Sequence, residues 1–234
     1  MRIAIDLGHT LSGGDTGARG YLIETNVNRQ YGSLVIAGLQ KLGHTVCNVT
    51  PTQSGLSLAQ SLAYRVNKSN AFKAELFISC HVNAFQTDKA HGCEVEYISA
   101  SGKVYADRVC TQMAALGYTK RGSISRPGLY VLKHTNAIAI LVEPFFCDTK
   151  TDCNKYNVAK LANAIVKGIT GKDIPGAVVV KPVVVTKPVT VIPKVVTNGR
   201  TYRVVTGSFS DEKNADARIL ALKAKGFDSF KVLI

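Results

Sequence analysis

Through its first 170 residues the chain alternates short apolar runs with segments of helical period, and that alternation restricts it to a layered α/β domain with a largely parallel sheet. Strands are expected at 3–7, 45–50, 75–80, 94–98 and 138–146, with a short extended piece at 129–132. Helices are expected at 26–42, stopped by Gly43, from Ser57 as cap to about 70, at 103–116, stopped by Gly117, and at 152–169. The run 138–146 is the most apolar strand in the chain.

Four polar residues interrupt this pattern where chemistry is expected. His9, His81 and Glu143 fall at or near strand ends, and open α/β sheets build their sites at the carboxyl ends of strands. Glu24 follows His9 across a Gly-rich loop. Two imidazoles and a carboxylate suit Zn2+, which commonly takes three such protein ligands and keeps a fourth position open for water. The metal brings the pKa of that water to about 7, and a neighbouring carboxylate can take its proton and hand it to a leaving amine. His9, Glu24 and His81 are therefore the candidate ligands, and Glu143 the candidate base and acid.

Each residue also has a duller explanation. A lone histidine at a strand end is usually structural, and Glu24 could simply favour a helix N-terminus. Glu143 resists such a reading, because an unpaired carboxylate after an apolar run in a central strand is costly. Asn83 could orient His81, bind substrate or serve a turn. Arg121 or Arg126 could clamp a terminal carboxylate, although surface arginines are usually only solvated. His44, His91 and His134 lack the strand-end setting.

The bulk properties narrow the partners. With 46% hydrophobic residues a real core is available. No apolar stretch approaches the roughly 20 residues that span a bilayer, so membrane insertion is not expected. The first residues read as a structural strand rather than a leader, which predicts synthesis in the cytoplasm and release by a route other than ordinary secretion. The net charge is +13, divided as +7 over 1–170, +4 over 171–200 and +2 over the remainder. No nucleic-acid motif accompanies this diffuse excess, which suits an anionic cell wall. None of Cys47, Cys80, Cys93, Cys110, Cys147 and Cys153 forms a C-x-x-C pair, so they read as reduced core residues; Cys147 and Cys153 are close enough in sequence to approach each other.

From Gly171 the texture changes. The stretch 171–199 is rich in Val, Pro, Lys and Thr, and its spaced prolines predict an extended linker. Residues 200–234 read as strand, helix and strand, too short to bury their own faces without a partner.

Four motifs, in order, carry a resemblance. They are Asp6-Leu7-Gly8-His9 with Asp15-Thr16-Gly17-Ala18, then Glu24-Thr25-Asn26-Val27-Asn28, then His81-Val82-Asn83-Ala84, then Leu141-Val142-Glu143 followed by Phe145-Phe146. With these, residues 1–170 resemble the zinc-dependent N-acetylmuramoyl-L-alanine amidases of the amidase-3 type. The departures are Leu7 in place of a frequent proline and Pro144 after the glutamate. The resemblance implies a six-stranded sheet flanked by helices on both faces, one zinc ion, and cleavage of the amide between N-acetylmuramic acid and L-alanine. The tail resembles half of a SPOR-type peptidoglycan-binding domain, which implies a homodimer in which two 200–234 segments pair; the alternative is a tail packed on its own catalytic domain. Together these traits resemble a phage endolysin delivered through a holin pore onto Gram-positive peptidoglycan. A mother-cell autolysin of a spore former would share them. A zinc carboxypeptidase and a non-catalytic wall-binding module are the other readings.

Overall fold

The computed structural model describes residues 1–176; the tail expected at 200–234 and most of the expected linker lie outside the described residues. Six strands form one sheet: β1 (Arg2–Asp6), β2 (Thr45–Asn48), β3 (Leu76–Cys80), β4 (Cys93–Tyr97), β5 (Lys120–Ser125) and β6 (Ile138–Glu143). Six helices accompany them: α1 (Glu24–Lys41), α2 (Leu58–Ala71), α3 (Ala100–Ala114), α4 (Tyr130–His134), α5 (Lys150–Cys153) and α6 (Val158–Thr170). No described helix is long and apolar enough to cross a membrane.

The strand order is β2-β1-β3-β6-β4-β5. β2, β1, β3 and β6 are parallel; β4 pairs with β6 antiparallel and with β5 parallel. The expected mixed, largely parallel α/β sheet is thus present, with the direction reversed once. Side chains alternate between two faces. Ile3, Ile5, Ile78, Val95, Ile140 and Val142 point into the larger core cluster, shared with α1, α3 and α6. Ala4, Phe77, Ala139 and Leu141 point into a smaller one with Val66 of α2 and Val131 and Leu132 of α4. The smaller cluster draws no residue from β4 or β5.

Local signals explain most boundaries. Ser57 caps α2 in a reciprocal box with Gln60. Gly43, in the left-handed region at φ +84°, lets the chain leave α1. β6 ends on Glu143 because Pro144 has no N–H to offer the ladder.

Three elements differ from expectation. Residues 130–134 form a short helix rather than an extended piece. β5 carries so many polar residues that its sequence gives no apolar alternation, and it takes its place as an edge strand. The closing helix is broken into α5 and α6, because Asn157 caps a new start by accepting from the Lys160 N–H at 3.0 Å. Buried Asp152 meanwhile accepts from the backbone N–H of Gly92 at 2.7 Å. Beyond α6 the chain stays attached: Ile174 packs on the larger core, and its N–H donates to Asn163 Oδ1 at 2.8 Å. All six cysteines are free, four of them fully buried, and Cys153 Sγ lies 3.3 Å from the carbonyl oxygen of Cys147.

Candidate metal centre

His9 stands just past the end of β1 with φ +53°, a left-handed conformation that a non-glycine residue adopts only when its surroundings enforce it. Arg29 of α1 supplies that enforcement, donating to the carbonyls of His9 at 3.0 Å and Gly8 at 3.3 Å. Glu24 opens α1, and His81 follows β3 directly. The Tyr31 hydroxyl, also on α1, donates to the His81 carbonyl at 2.8 Å. One helix therefore contributes a carboxylate and braces both histidine backbones.

The three side chains converge on one atom. His9 Nε2 lies 3.2 Å, and His81 Nδ1 3.0 Å, from Glu24 Oε1. One donor atom from each of the three residues falls within a span of 4.8 Å, so one cation could bind all three. Their supports leave those atoms available. The His9 Nδ1–H donates to Asp15 Oδ1 at 2.5 Å, which turns Nε2 toward Glu24. Glu24 Oε2 accepts from the Ala18 N–H at 2.7 Å. Two imidazoles and a carboxylate, with His9 and Glu24 each oriented by a further partner, fit a zinc ion in chemistry and number.

Asp15 is itself fixed from behind. Its Oδ2 accepts from Ser61 Oγ at 2.7 Å and from Arg65 Nη2 at 3.2 Å. Arg65 is 1% exposed and also pairs with Asp6, which takes a further hydrogen bond from Ser79 Oγ at 2.8 Å. A buried network from α2 and the sheet thus sets the orientation of His9.

These contacts govern the charge states without metal. Burial acts to raise the Glu24 carboxyl, but hydrogen bonds from His81 and His9 outweigh it and hold the group well below the usual carboxylate range. Asp15 is lowered too: burial opposes ionisation, and His9, Ser61 and Arg65 overcome it. Burial pulls His9 down, yet Asp15 and Glu24 raise it to about 9.

Glu143 completes the group. The His81 N–H donates to the Val142 carbonyl at 3.0 Å, so Glu143 follows at the level of His81. Its Oε2 is buried and, among the described residues, has no hydrogen-bond partner. Burial raises its pKa well above the ordinary value, and the charges of Glu24, Glu96 and Glu94 add to the shift. A carboxyl held this way is a strong proton acceptor whenever a cation beside it offsets the repulsion.

The structure thus brings His9, Glu24 and His81 together, sets Glu143 close enough to Glu24 for their charges to interact, and leaves His44, His91 and His134 outside the set. Among the described residues Asn83 makes no hydrogen bond to a candidate ligand side chain: its Nδ2 donates to Glu94 Oε1 at 2.9 Å, and its Oδ1 accepts from the Ala84 N–H at 2.9 Å. Arg121 Nε donates to Glu94 Oε2 at 2.5 Å, and its guanidinium lies 5.1 Å from the Phe146 ring centre. Sequence reasoning gave no role to Asp15, Arg65, Arg29 or Glu94. A signal for one was present: Arg65 falls three residues after Leu62 on the apolar stripe of α2, where a charge implies a buried partner.

Comparison with known proteins places this geometry. The family model described as N-acetylmuramoyl-L-alanine amidase matches residues 3–171, and one described as SPOR domain matches residues 155–232. The chain is 32% identical over 180 residues to the N-acetylmuramoyl-L-alanine amidase LytC of Bacillus subtilis, covering 71% of this chain and 34% of LytC. It is 25% identical to the sporulation-specific N-acetylmuramoyl-L-alanine amidase of the same organism, covering 100% of this chain and 85% of that protein. The solved catalytic domain of the CD27L endolysin targeting Clostridia Difficile superposes with a TM-score of 0.70 at 30% identity, covering 74% of this chain and 99% of that one. The chain spans about half the length, or less, of several of the relatives it matches. The four motifs, the sheet that carries them and the match over residues 3–171 show that this chain belongs to the N-acetylmuramoyl-L-alanine amidase family.

Proposed function

We propose that the protein cleaves the amide between N-acetylmuramic acid and L-alanine in Gram-positive peptidoglycan, with His9, Glu24 and His81 holding a zinc ion. Bound there, zinc supplies a Lewis acid for the carbonyl and acidifies a water. Asp15 keeps the His9 ring in the tautomer that leaves Nε2 free. Glu143 accepts the proton of the attacking water at its carboxylate and delivers it to the leaving alanine nitrogen. The observation that carries this reading is the buried Oε2 of Glu143, partnerless among the described residues and within charge range of Glu24, one of three converging donors; the arrangement is costly for stability, and catalysis explains it.

The remaining parts follow the same reading. The segment matched by the SPOR model binds the wall, and two 200–234 segments pair into a homodimer. The enzyme is a phage endolysin, made in the host cytoplasm and reaching the wall through a holin pore or on lysis; the likeness to the CD27L catalytic domain supports this. The end-to-end alignment with the sporulation-specific amidase favours a mother-cell autolysin as the second reading.

Digestion of purified Gram-positive walls tests the reaction. The expected product is new L-alanine amino termini, without release of C-terminal amino acids, and a chelator abolishes it. Released C-terminal amino acids would instead identify a carboxypeptidase. Lysis that persists after exhaustive chelation would overturn the metal.

A further inference from the structure

One end of the site lacks an assigned role. On β4, Glu94 and Glu96 lie on the face opposite Val95, and Glu94 stands directly across the antiparallel ladder from Glu143. Directly paired residues share a face, so these two acids continue the surface on which Glu143 sits. Elsewhere that face is covered by α2 and α4, but neither contributes to a core over β4 and β5. Two arginines of the β5 segment roof it instead. Arg121 Nε binds Glu94 at 2.5 Å and Arg126 Nε binds Glu96 at 3.1 Å.

Each arginine is hydrogen-bonded through its Nε alone, and Arg121 also lies over the Phe146 ring. Glu94 is 2% exposed, while the Arg121 and Arg126 side chains are 40% and 53% exposed. Among the described residues, neither guanidinium uses its Nη atoms in a hydrogen bond. Each therefore presents a free fork outward from a fixed base, the geometry that matches a carboxylate. A buried glutamate is an expensive way to anchor a solvated surface arginine. It is an effective way to aim one. The aim is referred to the metal centre, because Asn83, two residues after His81, binds the other oxygen of Glu94 at 2.9 Å.

The mechanism fixes which half of the substrate passes here. Glu143 must reach the leaving nitrogen, and that nitrogen belongs to the peptide. The surface running on from Glu143 toward β5 is then the peptide side of the scissile bond. Resting on the amidase reading, we propose that Arg121, assisted by Arg126, forms a subsite that binds a carboxylate of the peptide attached through L-alanine. The acid form of the peptide is thereby preferred over its primary amide.

The test uses the full-length, zinc-loaded chain carrying Glu143→Ala and two soluble muramyl-L-alanyl peptides, one with a free carboxylate beyond the alanine and one with that group as a primary amide. The acid is expected to bind about tenfold more tightly than the amide. Arg121→Lys keeps a cation beside Glu94 but removes the fork, and should cut the preference to about twofold or less. Arg126→Gln should reduce it by a smaller factor, and thermal unfolding of each variant checks that the fold is retained. Equal binding of acid and amide, an undiminished preference in a variant carrying both Arg121→Lys and Arg126→Gln, or equal displacement of both peptides by inorganic phosphate would each overturn the subsite. Cleavage is scored separately with unmutated enzyme, so a failed amidase reading appears as absent alanine amino termini whatever the binding preference shows.

Discussion

His9 Nδ1 and Asp15 Oδ1 lie 2.5 Å apart, and Asp15 is in turn held by Ser61 and buried Arg65. The orientation of a candidate metal-ligand histidine is thereby set by a helix that contributes no candidate ligand. Asp15→Asn should lower zinc affinity by about 10- to 100-fold, since the amide no longer stabilises the Nδ1–H tautomer with a charge. Competition against a chromophoric chelator measures this directly.

Arg65 tests the same network from behind. Arg65→Met would leave Asp6 and Asp15 buried without their cation. A loss of about 3–5 kcal/mol is expected in urea unfolding.

Glu143 should show a trade between activity and stability. Glu143→Gln keeps the shape but removes a charge that is repelled by Glu24, Glu96 and Glu94. Turnover should fall by at least about 100-fold while zinc stays bound, and the metal-free protein should gain stability as pH rises above the ordinary carboxylate range near about 4, where the unfolded chain ionises at this position and the native carboxyl is held back. Unchanged turnover would refute the assigned base.

The metal-free protein should have an unusual pH profile. His9 holds its proton up to about 9, against an ordinary value of 6.5. The stability it contributes is complete below 6.5 and is lost as pH rises through about 9. Asp15 and Glu24 are shifted down, so their contribution is present above the ordinary carboxylate range near about 4 and disappears as pH falls through their folded values. Thermal melts should peak between these limits without zinc. With zinc the decline between 6.5 and about 9 should vanish, because the metal takes the place of the His9 proton.

Gly17 lies at φ +70°, and an added Cβ would stand 2.7 Å from His9 Cδ2 and 2.9 Å from Glu24 Oε2. Gly17→Ala should cost about 1–3 kcal/mol and most of the zinc affinity. Calorimetry and metal titration would register both losses.

The converging candidate ligands were legible in the sequence because each breaks an otherwise apolar or Gly-rich pattern at the end of a strand or the start of a helix. His9, His81 and Glu143 stand out against their runs, and the capping box of Ser57 is local enough to be read directly. The second layer was not legible, because its meaning lies in long-range pairing. Asp6 and Asp15 look like ordinary polar positions one at a time, and Arg65, although it breaks the apolar stripe of α2, does not name partners that lie 59 and 50 residues away. β5 was hidden for a related reason: its polar side chains serve Glu94 and Asp107 rather than a core. The helix at 130–134 is too short for periodicity to declare it.

The reversal of β4 against β6 acts as a proofreading device for assembly. A slip of one residue would turn Glu94 and Glu96 into hydrocarbon and swing Val95 out beside Glu143, so both sides of the sheet would object at once. Any other register is penalised by the chain itself, and the spacing between Glu143 and its flanking acids is inherited from hydrophobic sorting on the opposite surface.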